Sequence, residues 1–172
     1  GLKSGEYASS FDEVKTYGGS GSTSRSQEQT DTVTFWTDPT FVQWSRTLRG
    51  IANTAQLDLA DSARLFALVH VAAADTMIAC FEAKYYYNFW RPITAIRNGD
   101  IDGNDATIAD PTWTPLNVTP PFPEYNSAHA VVAAASASIL TDVFGPVAFT
   151  ETSTATGVVR TYSSWFHAAE TS

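Results

Sequence analysis

Cysteine is almost absent from this chain, because Cys80 is the only one among 172 residues. A single cysteine excludes an intrachain disulfide. Cys80 also lies inside an apolar run, where thiols are usually buried and unreactive. We therefore expect Cys80 to pack in the core rather than to act in catalysis.

Positive charge is scarce as well. Ten Lys and Arg residues face 18 Asp and Glu residues, which gives a formal net charge of -8 and a pI near 4.6. Such a surface repels phosphate backbones and anionic membranes, so nucleic acid is not an expected partner. A small anion can still bind, provided that a local cluster of Arg, Lys and backbone N–H groups overcomes this background.

No long apolar run is free of polar residues. The longest, from Leu65 to Phe81, contains His70 and Asp75, which predicts a helix buried in a bundle rather than a membrane span. The sequence opens at Gly1 without a charged and then apolar leader. We expect that any secretion signal has been removed or was never present, which leaves the compartment open.

The length and the 44% of hydrophobic residues predict one globular domain. Residues 1–33 are rich in Gly, Ser and Thr and predict an extended, loop-rich segment. Apolar residues then recur at helical spacing, so residues 34–172 predict a helical domain. The four predicted helices are 39–52, 57–89, one from Ser127 to the Gly145–Pro146 stop, and 160–170. The first has Asp38 as its predicted N-cap and Pro39 as its first residue. The second is expected to break or bend near residues 79–82.

A long polar loop separates the second and third of these helices. Residues 98–125 are dense in Asp, Gly, Asn and Pro, and an ordered loop of this length is usually functional. The stretch DIDGNDATIAD within it suggests calcium only weakly. Counted from Asp100, the glycine position of an EF-hand holds Asp105 and the closing glutamate position holds Pro111. A turn-forming loop is the preferred interpretation.

Two basic residues stand at the end of the central helix, in the stretch KYYYNFWRP. Lys84 and Arg91 are seven residues apart, so their side chains project to the same side of a helix, separated by about 10 Å of rise. An ammonium and a planar guanidinium together suit a tetrahedral or trigonal oxyanion. The alternative is that both residues merely offset the helix dipole and reach into water.

A second candidate motif is PPFPEYNSAHA, in which a proline-rich segment delivers Ser127 and His129 to the start of an alanine-rich helix. Helix N-termini present free N–H groups and the positive end of the dipole, and therefore attract anions. Ser127 could donate a hydrogen bond or cap the helix. His129 could be a general acid or base, or simply a packed histidine.

In this order the two motifs resemble those of the vanadium-dependent haloperoxidases and of their relatives, the acid phosphatases and type 2 phosphatidic acid phosphatases. That family has a Lys and an Arg spaced like Lys84 and Arg91 with a following Pro, and a Ser-Gly-His triplet after a Pro-rich segment, where this chain has NSAH. The resemblance covers most of the chain and points to the bacterial-type haloperoxidase-related branch. It extends through FDEVKTYGGSGSTSRSQEQTDTVTFW, FWRPITAIRNGDIDGNDATIADPTWTPL and PPFPEYNSAHAVVAAASASIL.

The resemblance implies an all-α helical bundle of this type, incomplete in this chain, and an enzyme that oxidises halide with hydrogen peroxide at a bound vanadate. Lys84 and Arg91 would neutralise vanadate oxygens. Ser127 and the backbone N–H of Ala128 would donate hydrogen bonds, and His129 would be the catalytic acid-base residue. Phosphate could occupy the same site. A secreted or extracytoplasmic location is implied as well.

The chain departs from the family pattern at three places. Ala128 replaces the middle glycine, Asn126 replaces the preceding proline, and the third motif, an Arg followed by a His, does not appear before the chain stops at FHAAETS. His167 comes too early for that histidine and is expected to be a packing or surface residue. A companion chain or a second copy is expected to complete the bundle. Two alternatives stay open: a phosphatase or phosphate-binding relative acting on a phosphate ester, and a non-catalytic structural or storage remnant.

Overall fold

The computed structural model describes residues 1–154 and 156–171, and it is mostly helical, with 56% of residues in helices and two short strands. The predicted helical class is therefore confirmed. The elements of the described chain are α1 (Gly5–Gly18), α2 (Gln27–Phe35), α3 (Thr40–Thr54), α4 (Leu59–Tyr87), α5 (Pro92–Arg97), α6 (Ala128–Phe144), β1 (Phe149–Thr152), β2 (Val159–Tyr162) and α7 (Trp165–Glu170).

The chain forms two compact units. Unit 1 consists of Gly1–Gln27 and Ala83–Tyr125, and unit 2 consists of Glu28–Glu82 and the chain from Asn126 onward. Helix α4 begins in unit 2 and ends in unit 1 as one continuous helix of 29 residues. The break predicted near residues 79–82 does not occur, since no glycine or proline interrupts the helix there, and the alternative of a bend stays a prediction.

Helix α1 occupies part of the segment that composition predicted to be loop-rich, so this expectation for residues 1–33 was wrong. Ser4 caps the helix by accepting a hydrogen bond from the Tyr7 N–H. Tyr7, Phe11 and Val14 recur at helical spacing, and this signal was hidden by the Gly and Ser residues that follow it. Helix α2 covers the end of the same segment. The proposed domain boundary after residue 33 stays a prediction.

The core of unit 1 is built around three buried side chains, those of Phe11, Ile96 and Trp113. The Trp113 indole Nε1 donates to the Lys15 carbonyl at 3.0 Å, which ties the polar loop to α1. Gly99 allows a close approach here, because a Cβ at this position would lie 3.0 Å from the Phe11 ring and 3.2 Å from the Ala109 backbone nitrogen. The long loop thus packs against α1 through its own side chains.

The loop of residues 98–125 contains no helix or strand, as predicted. Its acidic stretch is closed by internal hydrogen bonds: Asp102 accepts from the Thr107 hydroxyl at 2.7 Å and from the Asn104 N–H at 2.8 Å. Across the described residues there is no cluster of metal-ligating side chains. The turn-forming interpretation of DIDGNDATIAD fits this geometry.

Helix α3 starts one residue later than predicted and is capped differently. Pro39 is the N-cap, and no side-chain hydrogen bond caps this end. The Asp38 side chain is buried and bonds instead to Ser153, Thr154 and Arg46 of unit 2. The prediction of Asp38 as N-cap was wrong because stronger donors elsewhere in the unit bind its carboxylate.

Unit 2 has an apolar core contributed by α3, α4, α6 and α7. Its buried members are Trp44, Leu48, Leu65, Val69, Ala73, Val132, Ala133, Ala137, Leu140 and Trp165. Small alanines on α6 let the neighbouring helices approach closely. Helix α6 runs over the predicted range and ends at Gly145, whose φ of +74° favours glycine.

Helix α4 is less buried than the sequence suggested. Leu65, Val69, Ala73 and Cys80 are buried, whereas Val71 and Ile78 are more than half exposed. The segment Leu59–Arg97 is long and apolar enough to cross a membrane, with 22% of its most apolar window buried. That single helix is weak evidence of a span, because core helices of other proteins pass the same test.

The predicted helix from residue 160 is partly wrong. Residues Val159–Tyr162 form β2, which pairs antiparallel with β1 in the register Phe149 to Tyr162 and Thr152 to Val159. Helix α7 starts only at Trp165, where Ser164 caps it by accepting from the His167 N–H. β-Branched and aromatic residues favour strands over helix in VVRTY.

Candidate functional site

Lys84 lies at the end of α4 and is almost completely buried, with 1% of its surface exposed. Its ammonium Nζ donates to the carbonyls of Pro123 and Glu124, both at 3.0 Å. It also lies 5.1 Å from the centre of the Phe122 ring. The alternative that Lys84 reaches into water is therefore wrong, since its charge is held inside unit 1.

Arg91 binds the same segment of unit 1. Its Nε donates to the Phe122 carbonyl at 2.7 Å, and its Nη1 lies 2.7 Å from the Glu124 carboxylate. The guanidinium carbon is 4.8 Å from the centre of the Phe122 ring. Within the described residues, the Nη2 atom has no hydrogen-bond partner, so one edge of the guanidinium can still bind another group.

The structure thus brings Lys84 and Arg91 together on the three-residue segment from Phe122 to Glu124. Both cations lie near one aromatic ring, which attracts positive charge through its face. The two carboxyl-terminal residues of this segment are three and four positions before Ser127 in the sequence. The cations therefore fix the proline-rich approach to the second motif.

Ser127 is the N-cap of α6 in unit 2. Its Oγ accepts a hydrogen bond from the Ala130 N–H at 3.2 Å. A hydroxyl that accepts through its oxygen can still donate its hydrogen. The N–H groups of Ala128 and His129 belong to the first helical turn, where no helical carbonyl accepts from them. This end of α6 therefore offers several donors to an anion.

Ala128 fits the first position of α6 without backbone strain. Among the described residues, the non-glycine residues with positive φ are Gln56 and Asn88, and Ala128 is in the helix. A glycine is thus not needed here for conformational reasons. The alanine keeps the N–H group that the predicted role requires.

His129 is half-buried in unit 2. Its Nε2 atom is buried and finds no hydrogen-bond partner in the described part of the chain. Burial lowers the pKa of His129 from its ordinary value of 6.5, while a hydrogen bond to the Asp38 backbone acts in the opposite direction. The imidazole is therefore neutral near pH 7 and can accept a proton. The Nε2 atom is therefore available to a polar group that reaches it.

Sequence reasoning missed three residues around these motifs. Phe122 and Glu124 receive the bonds of Lys84 and Arg91, and Asp38 contacts His129 through its backbone. The acidic Glu124 beside two predicted cations was visible in PPFPEYNSAHA, but its partners are 33 and 40 positions away. Proximity of that kind is not encoded in local spacing.

Two other titratable residues stand outside the motifs, as expected. His167 is exposed on α7, and its Nδ1 accepts from the Ser163 N–H at 3.1 Å. Cys80 is buried, and its thiol contacts the Asn126 carbonyl at 3.8 Å. Neither has the surroundings of a nucleophile.

One family model and one curated protein are similar to this chain over much of its length. The family model described as the VCPO second helical-bundle domain matches residues 64–170. The vanadium chloroperoxidase of Curvularia inaequalis is 33% identical to this chain over 142 residues, which cover 66% of this chain and 22% of that protein.

A solved structure is similar as well. The crystal structure of the first bacterial vanadium-dependent iodoperoxidase aligns with a TM-score of 0.72 at 30% identity, covering 85% of this chain and 36% of that chain. This chain therefore spans well under half the length of either relative. The family match includes Lys84, Arg91, Ser127 and His129.

Proposed function

Because this chain belongs to the family of the VCPO second helical-bundle domain, we propose that it supplies the oxyanion-binding part of a vanadate-dependent haloperoxidase, which oxidises halide with hydrogen peroxide. The proposal rests on one observation: Lys84 and Arg91 both form hydrogen bonds to the segment that leads into the predicted Ser-Ala-His motif.

The donors in each unit suit a tetraoxo anion. In unit 1, the Nη2 edge of Arg91 has no described partner, and the buried charge of Lys84 is weakly screened by water. In unit 2, the Ser127 hydroxyl and the N–H groups that open α6 remain able to donate. Bound vanadate would supply the Lewis acidity that activates hydrogen peroxide.

His129 is proposed as the acid-base residue. Its lowered pKa keeps the imidazole neutral near pH 7, so it can take a proton from hydrogen peroxide. The charged form would then be stabilised by a neighbouring anion. The buried, unpartnered Nε2 is the atom that fits this role.

The same donors also suit phosphate, which has the shape and charge of vanadate. A phosphatase acting on a phosphate ester is therefore the second candidate, and the two are separated by their substrates. With the protein purified together with the chain that supplies its third motif, we expect bromide oxidation that depends on added vanadate and peroxide, and little turnover of p-nitrophenyl phosphate. The reverse pattern would favour the phosphatase, and neither activity would favour the non-catalytic remnant.

Arg91→Met tests the site itself. We expect bromide oxidation to fall at least about tenfold, because a charge-assisted donor to the anion is lost. Arg49→Met, at an exposed position on α3, is the matched control and should keep full activity. Equal activities of the two variants would refute the role of Arg91.

A further inference from the structure

Three exposed tyrosines of unit 1, Tyr86, Tyr87 and Tyr125, form a row that we call the tyrosine ladder. The ring centres of Tyr86 and Tyr87 are 5.0 Å apart and those of Tyr87 and Tyr125 are 5.3 Å apart, with both pairs at 88°. In this order the three residues are 79%, 62% and 55% exposed. Single exposed apolar residues are ordinary, whereas a contiguous exposed group indicates a surface with a role.

The tyrosine ladder ends next to the segment that Lys84 and Arg91 bind. Tyr125 directly follows Glu124, so the two Cα atoms are about 3.8 Å apart. The Glu124 carboxylate lies 2.7 Å from Arg91 Nη1, its carbonyl accepts from Lys84, and its N–H donates to the Phe89 carbonyl at 3.0 Å. All of these residues belong to unit 1. The tyrosine ladder therefore lies beside the cations of the proposed oxyanion site.

The phenol ring of tyrosine reacts with oxidised halogen. Its hydroxyl donates electron density to the neighbouring ring carbons, and one of these carbons attacks the bromine of hypobromous acid. The new carbon–bromine bond forms as the bromine–oxygen bond breaks, and the hydroxide that leaves takes up the proton lost from the ring carbon to give water. The proposed function supplies the oxidant, because bromide, hydrogen peroxide and a proton give hypobromous acid and water.

Other side chains that react with oxidised halogen are few or covered. Sulfur is readily oxidised, but the chain has one cysteine and one methionine. Cys80 is buried and Met77 is half-buried. None of the five tryptophans is exposed. Among the described residues, the electron-rich rings that face solvent are therefore those of the tyrosine ladder, Tyr85 and Tyr17.

We propose that the tyrosine ladder is a site of self-halogenation, in which Tyr125 and Tyr87 take up halogen from the oxidised halide formed at the neighbouring anion site. This inference rests on the proposed function. Two other tyrosines serve as references within the same chain. Tyr17 on α1 is 41% exposed, and Tyr162 on β2 is 3% exposed.

Peptide mass spectrometry of two samples tests this inference, with fragment ions assigning each bromine to a residue. Both contain the protein purified together with the chain that supplies its third motif. One sample receives bromide, hydrogen peroxide and vanadate, and the other receives hypobromous acid alone until the total bromination is equal. Hypobromous acid added from solution should label tyrosines according to their exposure, so Tyr17 should be labelled and Tyr162 should not.

Turnover should change this distribution. We expect the ratio of bromine on Tyr125 to bromine on Tyr17 to be at least about threefold higher after turnover than after added hypobromous acid, because proximity raises the effective concentration of the oxidant. The same ratio for Tyr87 should rise as well. An equal distribution in the two samples, with bromide oxidation intact, would overturn the inference and leave the proposed function standing.

Tyr125→Phe removes the activating hydroxyl and keeps an aromatic ring beside Tyr87. We expect bromine at position 125 to disappear, while oxidation of bromide, measured with a small phenol in solution, stays unchanged. Tyr17→Phe is the matched control and should leave the bromine on Tyr125 unchanged.

Two further outcomes would also count against the inference. If added hypobromous acid labels Tyr17 but neither Tyr87 nor Tyr125, the tyrosine ladder is unreactive and the inference fails whatever the enzyme does. If the purified complex does not oxidise bromide at all, the proposed function fails and the inference falls with it.

Discussion

Lys84→Met removes a buried charge and keeps the shape of its side chain. In the wild-type protein the ammonium donates to the carbonyls of Pro123 and Glu124, both at 3.0 Å, and is 1% exposed. Methionine is unbranched like lysine and one atom shorter, and it donates no hydrogen bond. Both carbonyls would therefore lose this partner in a partly buried segment.

The magnitude follows from the two lost bonds. A hydrogen bond to a charged group contributes about 1.5–3 kcal/mol, and a buried acceptor left unpaired costs a similar amount. Removing the ammonium also relieves its own desolvation cost, which offsets part of this loss. We expect a net loss of about 2–4 kcal/mol in the free energy of unfolding, or about 4–16 °C in Tm.

Urea unfolding followed by tryptophan fluorescence measures this loss, since the chain has five tryptophans. Lys15→Met is the matched control. Lys15 makes a single exposed hydrogen bond, to the Ile108 carbonyl at 2.8 Å, and its loss should cost less than about 1 kcal/mol. If Lys84→Met proves as stable as the wild type, the ammonium does not hold the proline-rich segment.

Asp38→Ala should cost about 2–4 kcal/mol in urea unfolding, because Ser153 and Thr154 lose a buried charged acceptor while Arg46 keeps Glu151, whereas loss of an N-cap alone would cost only about 1 kcal/mol. His129→Gln should flatten the dependence of stability on pH. The folded pKa of His129 lies below its ordinary value of 6.5, so its contribution is full above about pH 6.5 and is lost as the pH falls through the folded pKa. Unfolding measured at pH 7.5 and 5.0 checks this, and an equal fall in both proteins would contradict it. The exposed apolar face of α4 predicts that copies of the chain associate, as measured by sedimentation velocity. The double variant Val71→Glu with Ile78→Glu should abolish this association. A wild-type chain that sediments as an 18.6 kDa monomer at every concentration would contradict the prediction.

Local signals were enough to predict α6. Ser127 is a strong N-cap residue, the alanines that follow favour helix, and Gly145 with Pro146 stops it. The predicted start and end of that helix are confirmed. The start of the second motif was therefore readable from a few neighbouring residues.

Elements that depend on distant partners were not predictable in the same way. Strands β1 and β2 are four residues each and exist only as a pair, so neither has a reliable signal alone. Asp38 looked like an N-cap because Asp before Pro is a common helix start, yet its partners Ser153 and Thr154 lie more than 110 positions away. Burial of such a carboxylate depends on tertiary packing.

Part of the candidate site could be predicted from local sequence signals, and part depends on contacts between distant residues. The pairing of Lys84 with Arg91 followed from their spacing of seven residues and from the resemblance. Their hydrogen bonds to Phe122–Glu124 could not be predicted, because these bonds join residues that lie 31 to 40 positions apart in the sequence. The structure therefore adds a supporting role in unit 1 to the anion-binding role that the sequence predicts.

Direct binding of orthovanadate tests the central proposal most sharply. In ⁵¹V NMR, we expect the orthovanadate signal to broaden on addition of the protein, to recover when phosphate is added in excess, and to need about tenfold more protein in Arg91→Met. The Arg49→Met control should behave like the wild type. A signal that stays sharp with equimolar protein, or that broadens equally with both arginine variants, would contradict an oxyanion site at these motifs.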